Sequence, residues 1–174
     1  MSVTPPSVSV IVPMYNAENW IERCLAPLLA MLGRGEITEI IVVNDGSNDR
    51  SQAIVRGLAS VQLLAMDEQC GPAAARNCAA QVARGEYLWF VDSDVVVANN
   101  AAKVLRETLT RTRPAAVIGS YDDQPGANNF LSQYKNLPPL LPPPQQEPGI
   151  IYAACSTTSP FKVGLRSGAG THPA

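Results

Sequence analysis

The run VSVIVP at residues 8–13 is rich in β-branched side chains and lacks polar alternation. This is the pattern of a strand buried on both faces. Residues 40–43 (IIVV) and 87–91 (YLWFV) repeat it, and a further strand region precedes Asp67. Between these runs lie helical patterns at 19–32, 49–58, 73–83 and 99–112. Asn48 or Ser47 is available to cap the second helix. The third opens Gly71-Pro72, with proline suited to a first helical turn. Another strand is expected at 115–119, after Pro114. Strand and helix alternate, which predicts an α/β fold of right-handed βαβ units around a mostly parallel sheet.

The 174 residues suit one ordinary domain. Apolar residues at 46% and charged residues at 16% exclude a disordered chain, a coiled coil and a collagen-like fibre. A formal net charge of -2 and a pI near 5.4 provide no basic field, so no nucleic-acid partner is expected. Residues 1–6 lack the basic start of a signal peptide, and no apolar run approaches the roughly 18 residues of a membrane span. The best candidate, 24–32, contains Pro27. Cys24, Cys70, Cys78 and Cys155 form no CxxC pair and read as reduced cytosolic thiols. His172, the single histidine, lies in the tail, which excludes histidine zinc sites and Ser/His/Asp triads.

Of the 15 prolines, six fall within 138–148. PPLLPPPQQEP can neither continue a helix nor pair inside a sheet, so it reads as a polyproline-like or unstructured connector. Residues 149–155 (GIIYAAC) are a candidate extra strand, and 166–174 have the composition of a frayed tail.

Ligands of parallel α/β sheets bind beyond the carboxyl ends of the strands. Pro13-Met14-Tyr15-Asn16 closes the first strand, Asn44-Asp45-Gly46-Ser47 follows the second, and Asp92-Ser93-Asp94 follows the strand at 87–91. The strand region before Asp67 leads through Cys70-Gly71-Pro72 to Arg76. Polar and acidic groups therefore collect on one rim. Asp92 and Asp94 would present hard oxygen ligands to Mg or Mn while leaving positions for diphosphate oxygens, although the same residues also terminate strands as simple turns. Asp45 is placed to accept a base N–H, Tyr15 to stack on a base or ribose, and Arg76 to meet a phosphate beside a helix N-terminus. Taken singly, a turn aspartate, an interfacial tyrosine and a solvated arginine explain them as well.

The segments VSVIVPMYNAENWIERCL, EIIVVNDGSNDRS, GPAAARN and GEYLWFVDSD, in that order, resemble the successive motifs of family 2 glycosyltransferases, which have the GT-A fold, a Rossmann-like sheet. The resemblance is continuous over about residues 7–113, and NNFLSQYKNL at 128–137 also resembles a segment downstream of the acidic motif. It implies a nucleotide-sugar donor, often a UDP-sugar, an inverting and metal-assisted transfer, and Mn or Mg as cofactor. Carried over by residue, Pro13, Tyr15 and Asp45 would line the nucleoside pocket, with Asn16 and Gly71 among the donor-binding positions. Arg76 would lie near the diphosphate. Asp92 and Asp94 would form the DxD-type pair, Asp94 being the direct metal ligand.

The acceptor implied is a saccharide or a lipid-linked saccharide of polysaccharide or glycolipid biosynthesis, which leaves peripheral membrane association open. The expected location is cytoplasmic, or the inner face of a membrane. An inverting transfer also needs a general base. Beyond Asp94 the acidic residues are Glu107, Asp122, Asp123 and Glu147, and Asp123 is the one weak candidate. The expected organisation is therefore a partial donor-binding domain at 7–137, a connector at 138–148, and an extra strand with a tail at 149–174. A chain truncated or altered after about residue 137 would bind donor without turnover, which is the alternative function. A nucleotidyltransferase lacks support because no glycine- and lysine-rich phosphate loop follows the first strand. A dinucleotide oxidoreductase has less support still, since no GxGxxG follows the first strand.

Overall fold

The computed structural model describes residues 5–114, 116–118 and 153–156. In chain order the elements are β1 (Val8–Met14), α1 (Ile21–Gly33), β2 (Glu39–Asn44), α2 (Ser51–Arg56) and β3 (Gln62–Ala65). They continue with α3 (Pro72–Val82), β4 (Tyr87–Phe90), α4 (Ala101–Thr112), β5 (Ala116–Ile118) and β6 (Ala153–Ser156). The sheet order is β3-β2-β1-β4-β6-β5. β1 pairs in parallel with β2 and β4, and β2 with β3. β6 runs antiparallel to both neighbours, entering between β4 and β5. The fold is thus α/β with a mostly parallel sheet flanked by helices.

Why β1, β2 and β4 show no polar alternation is now visible: each side of the sheet has its own apolar layer. Val8, Val10, Val12 and Met14 of β1 join Ile40, Val42, Tyr87 and Trp89 on the face packed by α1 and α4. Ile11, Ile41, Val43 and Leu88 point the other way, against Ala75 and Ala79 of α3. Two small residues four apart let α3 approach the strands closely. α1 buries Ile21, Cys24, Leu25, Leu28 and Met31, one stripe at helical spacing. Each large aliphatic side chain so buried contributes about 1.5–3 kcal/mol relative to exposure. Pro27 sits inside α1 without ending it, and the carbonyl it deprives, on Arg23, belongs to an exposed residue.

At the amino end of the sheet a polar knot closes the core. Buried Glu39 accepts the Ser9 hydroxyl (2.6 Å), the Arg84 backbone N–H (2.6 Å) and Arg84 Nε (3.0 Å). Gly85 N–H donates to Ser9 Oγ at 2.8 Å. A Cβ on Gly85 would lie 2.5 Å from the Ser9 nitrogen, so only glycine fits this approach.

Candidate functional site

The loops after β1 and β2 are stitched together at the carboxyl end of the sheet. Asn16, in the left-handed region at φ 48, donates its N–H to Ser47 Oγ (3.0 Å), and its Oδ1 accepts Asn48 N–H (2.9 Å). Ala17 N–H donates to Ser51 Oγ at 2.8 Å and Glu18 N–H to Asp49 Oδ2 at 3.0 Å. Glu18 Oε2 in return accepts Arg50 N–H (3.1 Å) and Arg50 Nε (3.2 Å). The expectation that Asn48 or Ser47 caps the second helix is corrected here. Arg50 occupies the N-cap of α2 without a side-chain cap. The Ser47 hydroxyl accepts the Asn16 N–H, the backbone N–H of Asn48 is held by Asn16 Oδ1, and Asp49 Oδ1 takes the Ser51 N–H at 2.9 Å instead. These bonds hold Tyr15, which is 43% exposed, at the rim.

Asp45 follows β2 directly, and its N–H donates to Met14 O at 2.9 Å. Its side chain is buried yet reaches across to the loop before α3, where Oδ1 accepts Cys70 N–H (2.7 Å) and Oδ2 accepts Gly71 N–H (2.8 Å). Gly46, at φ +73, packs so closely that a Cβ would meet the Gln69 nitrogen at 3.1 Å. Gly71, at φ 88, is the N-cap of α3, and Pro72 takes the first turn as expected.

Arg76, one turn into α3, donates Nη2 to Asp92 Oδ1 and forms an ion pair with it. Its side chain is only 22% exposed against 55% for Asp92, so the arginine is held by the fold. It is not a freely solvated surface residue. Asp92 opens a β-turn in which Val95 N–H donates to Asp92 O at 3.0 Å, placing Asp94 at an exposed central position. Below that turn the buried Cys24 thiol of α1 donates to the same carbonyl at 3.5 Å. Burial, then the negative charges of Asp94 and Asp92, push the thiol up to about 12, so it remains a donor.

The structure therefore brings Tyr15, Asn16, Asp45, Gly71, Arg76, Asp92 and Asp94 to one rim, across β2, β1 and β4. Pro13 lies just beneath, buried in β1 opposite Val43. Asp123 lies outside the described residues. Sequence reading missed Ser47, Asp49, Ser51 and Glu18 as the stitching groups, and Cys24 as the support of the acidic turn. Among the described residues no three His, Cys, Asp or Glu side chains gather into a metal cage. Two exposed carboxylates do fit a hard divalent ion that takes its other ligands from phosphate and water. A separate groove of about 490 Å³, lined by Pro5, Glu36, Lys103, Arg106 and Glu107, lies along α4 and holds none of these residues.

A parallel sheet with polar loops gathered at its carboxyl end and an acidic turn after a central strand is the arrangement of an α/β domain whose ligands bind beyond the strand ends. Residues 9–168 match the model of glycosyl transferase family 2, and the chain belongs to that family. The match continues past the proline-rich run at which the motif resemblance ends. Glycosyltransferase GlyG of Streptococcus pneumoniae serotype 4 is 34% identical over 118 residues, covering 66% of this chain and 38% of the relative. Among solved structures, S. aureus TarS in complex with UDP-GlcNAc superimposes with a TM-score of 0.62 at 28% identity, over 67% of this chain and 34% of that one. Mannosyltransferase PcManGT from Pyrobaculum calidifontis, in complex with GDP-Man and Mn2+, gives 0.55 at 28% identity, over 69% and 37%. The chain spans less than half the length of the curated relatives it matches. Its sheet and flanking helices are those of the GT-A fold. No described helix is long and apolar enough to cross a membrane.

Proposed function

We propose that this chain is the donor-binding portion of a glycosyltransferase that transfers a sugar from a UDP-sugar to a hydroxyl acceptor, with inversion and with Mg or Mn. The observation that carries the reading is the convergence of Tyr15, Asp45, Arg76 and Asp92-Ser93-Asp94 on one strand-end rim. The neighbour complexes with UDP-GlcNAc and with GDP-Man and Mn2+ support it.

Tyr15 presents a flat face for the base or ribose. Each Asp45 oxygen takes one loop amide and keeps a second lone pair, which suits a base N–H. Asn16 and Pro13 shape the wall and floor of this pocket, and Gly71 lets the donor come close to the start of α3. The α3 N-terminus and Arg76 offer positive potential to the diphosphate. Asp94, with Asp92, would hold the ion, which when bound neutralises charge on the departing diphosphate. Donor binding without turnover is the second reading, since each residue named above serves the donor. Hydrolysis or transfer of UDP-GlcNAc by the purified chain separates the two.

Calorimetry with UDP-GlcNAc and MnCl2 tests the binding claim. Metal-dependent binding, weakened by about tenfold (about 1.4 kcal/mol) or more in Asp94→Ala, is expected. Binding that ignores both the metal and the substitution contradicts it.

A further inference from the structure

We propose that Arg76 is an internal counter-ion that makes metal binding at the acidic turn contingent on the donor's diphosphate. The proposal rests on the donor-site reading above and concerns how that site loads. The guanidinium already occupies Asp92 Oδ1, the position a divalent cation would use. Asp92 and Asp94 together carry two negative charges, and Arg76 cancels one of them. An approaching dication therefore meets a single net negative charge, with one carboxylate oxygen already taken. Arg76 is the more enclosed partner, at 22% exposure against 55% for Asp92, so the pair is set by α3 and not by chance contact at the surface.

Two anions compete for this one guanidinium. Arg76 lies one turn after Gly71, so its reach covers both the turn at 92–95 and the space before the α3 N-terminus. A diphosphate arriving at that N-terminus draws on the same cation and releases Asp92. The second carboxylate then faces the metal. Coupling of this kind is reciprocal: whatever factor the diphosphate adds to metal affinity, the metal adds to diphosphate affinity.

A purely structural ion pair makes a different prediction, because removing it would weaken every ligand together. The gate requires opposite signs. Mn2+ is titrated into the full chain and into Arg76→Gln, following the electron paramagnetic resonance of free aqueous Mn2+, with and without UDP. Without UDP, R76Q is expected to bind Mn2+ about fivefold tighter than the parent chain. With Mn2+ present it is expected to bind UDP about tenfold more weakly. Arg76→Lys, which keeps the charge, is expected to restore the parent's weak affinity for Mn2+ alone.

Equal or weaker Mn2+ binding by R76Q alone overturns the gate, while parent binding of UDP with Mn2+ leaves the donor-site reading intact. Failure of the parent chain to bind UDP with Mn2+ overturns both. Asp92→Asn supplies a check that does not depend on the folding of R76Q. Freeing Arg76 should tighten metal-free UDP binding about threefold, and unchanged or weaker binding counts against the gate.

Discussion

Asp45 at the end of β2 holds Gly71 at the start of α3: Oδ2 accepts the Gly71 N–H at 2.8 Å, while Oδ1 takes the Cys70 N–H at 2.7 Å. One carboxylate thus fixes where α3 begins, and with it where Arg76 is presented. Asp45→Asn keeps the shape but turns an NH2 group toward one of those amides. The expected cost is about 1.5–3 kcal/mol in urea unfolding, the worth of one hydrogen bond to a charged acceptor. Faster hydrogen exchange at Cys70 or Gly71, with weaker UDP binding, should accompany it.

Two glycines should respond to alanine in opposite directions. Gly85→Ala pushes a Cβ to 2.5 Å from the Ser9 nitrogen and 2.7 Å from its hydroxyl, where the backbone must move. A loss of about 1–3 kcal/mol is expected from this overpacking. Gly33, at the end of α1, has open space within 4 Å of where a methyl would stand, and no positive φ. Its alanine variant should gain about 0.4–1 kcal/mol through the unfolded chain. Thermal melts of the two variants decide both.

Glu39 sets an acid limb of stability. Burial alone would raise its carboxyl, but the Ser9 hydroxyl and the Arg84 backbone and side-chain donors outweigh burial and hold it below its ordinary value. The unfolded chain therefore binds the proton more readily. This contribution is complete above the ordinary glutamate range and fades as pH falls through the lower folded value. Glu39→Gln should flatten that part of a stability–pH curve measured by denaturant. An unchanged acid limb would show that the knot carries no such linkage.

The thiols should separate by reactivity. Cys70 is exposed beside the Asp45 clamp, whereas Cys24 is buried and pushed up to about 12. A thiolate-directed reagent at neutral pH should label Cys70 in the native chain and reach Cys24 only on unfolding. Mass spectrometry of the labelled peptides reads this directly. Saturating UDP with Mn2+ should slow labelling of Cys70.

Much of the sheet was legible because β1, β2 and β4 are buried on both faces and leave continuous apolar runs. β2 nevertheless extends to Glu39, a charged residue no local pattern would place in a strand. Its carboxylate is satisfied by Ser9 and Arg84, 30 and 45 residues away, and such partners leave no local trace. β3 was the least defined, since Gln62–Ala65 is an edge strand in which only the two middle residues are half-buried. α2 starts at Ser51 and not near Asp49 because Asp49 and Ser51 are committed to Glu18 and Ala17 of the first loop. The acidic turn and Arg76 could be read from their order along the chain. The stitching of residues 16–18 to 47–51 could not, for it joins short polar side chains about thirty positions apart.

Nucleotide and metal should meet on the strand-end rim, and paramagnetic broadening by Mn2+ locates that meeting point on the 15N-labelled chain in the presence of UDP. The amide signals of Ser93, Asp94 and Val95 are expected to vanish first, with Gly71 and Asp45 affected next. The α4 positions Lys103 to Arg111 should be spared. Broadening centred on the α4 groove, or none at the 92–95 turn, would refute a donor site on this rim.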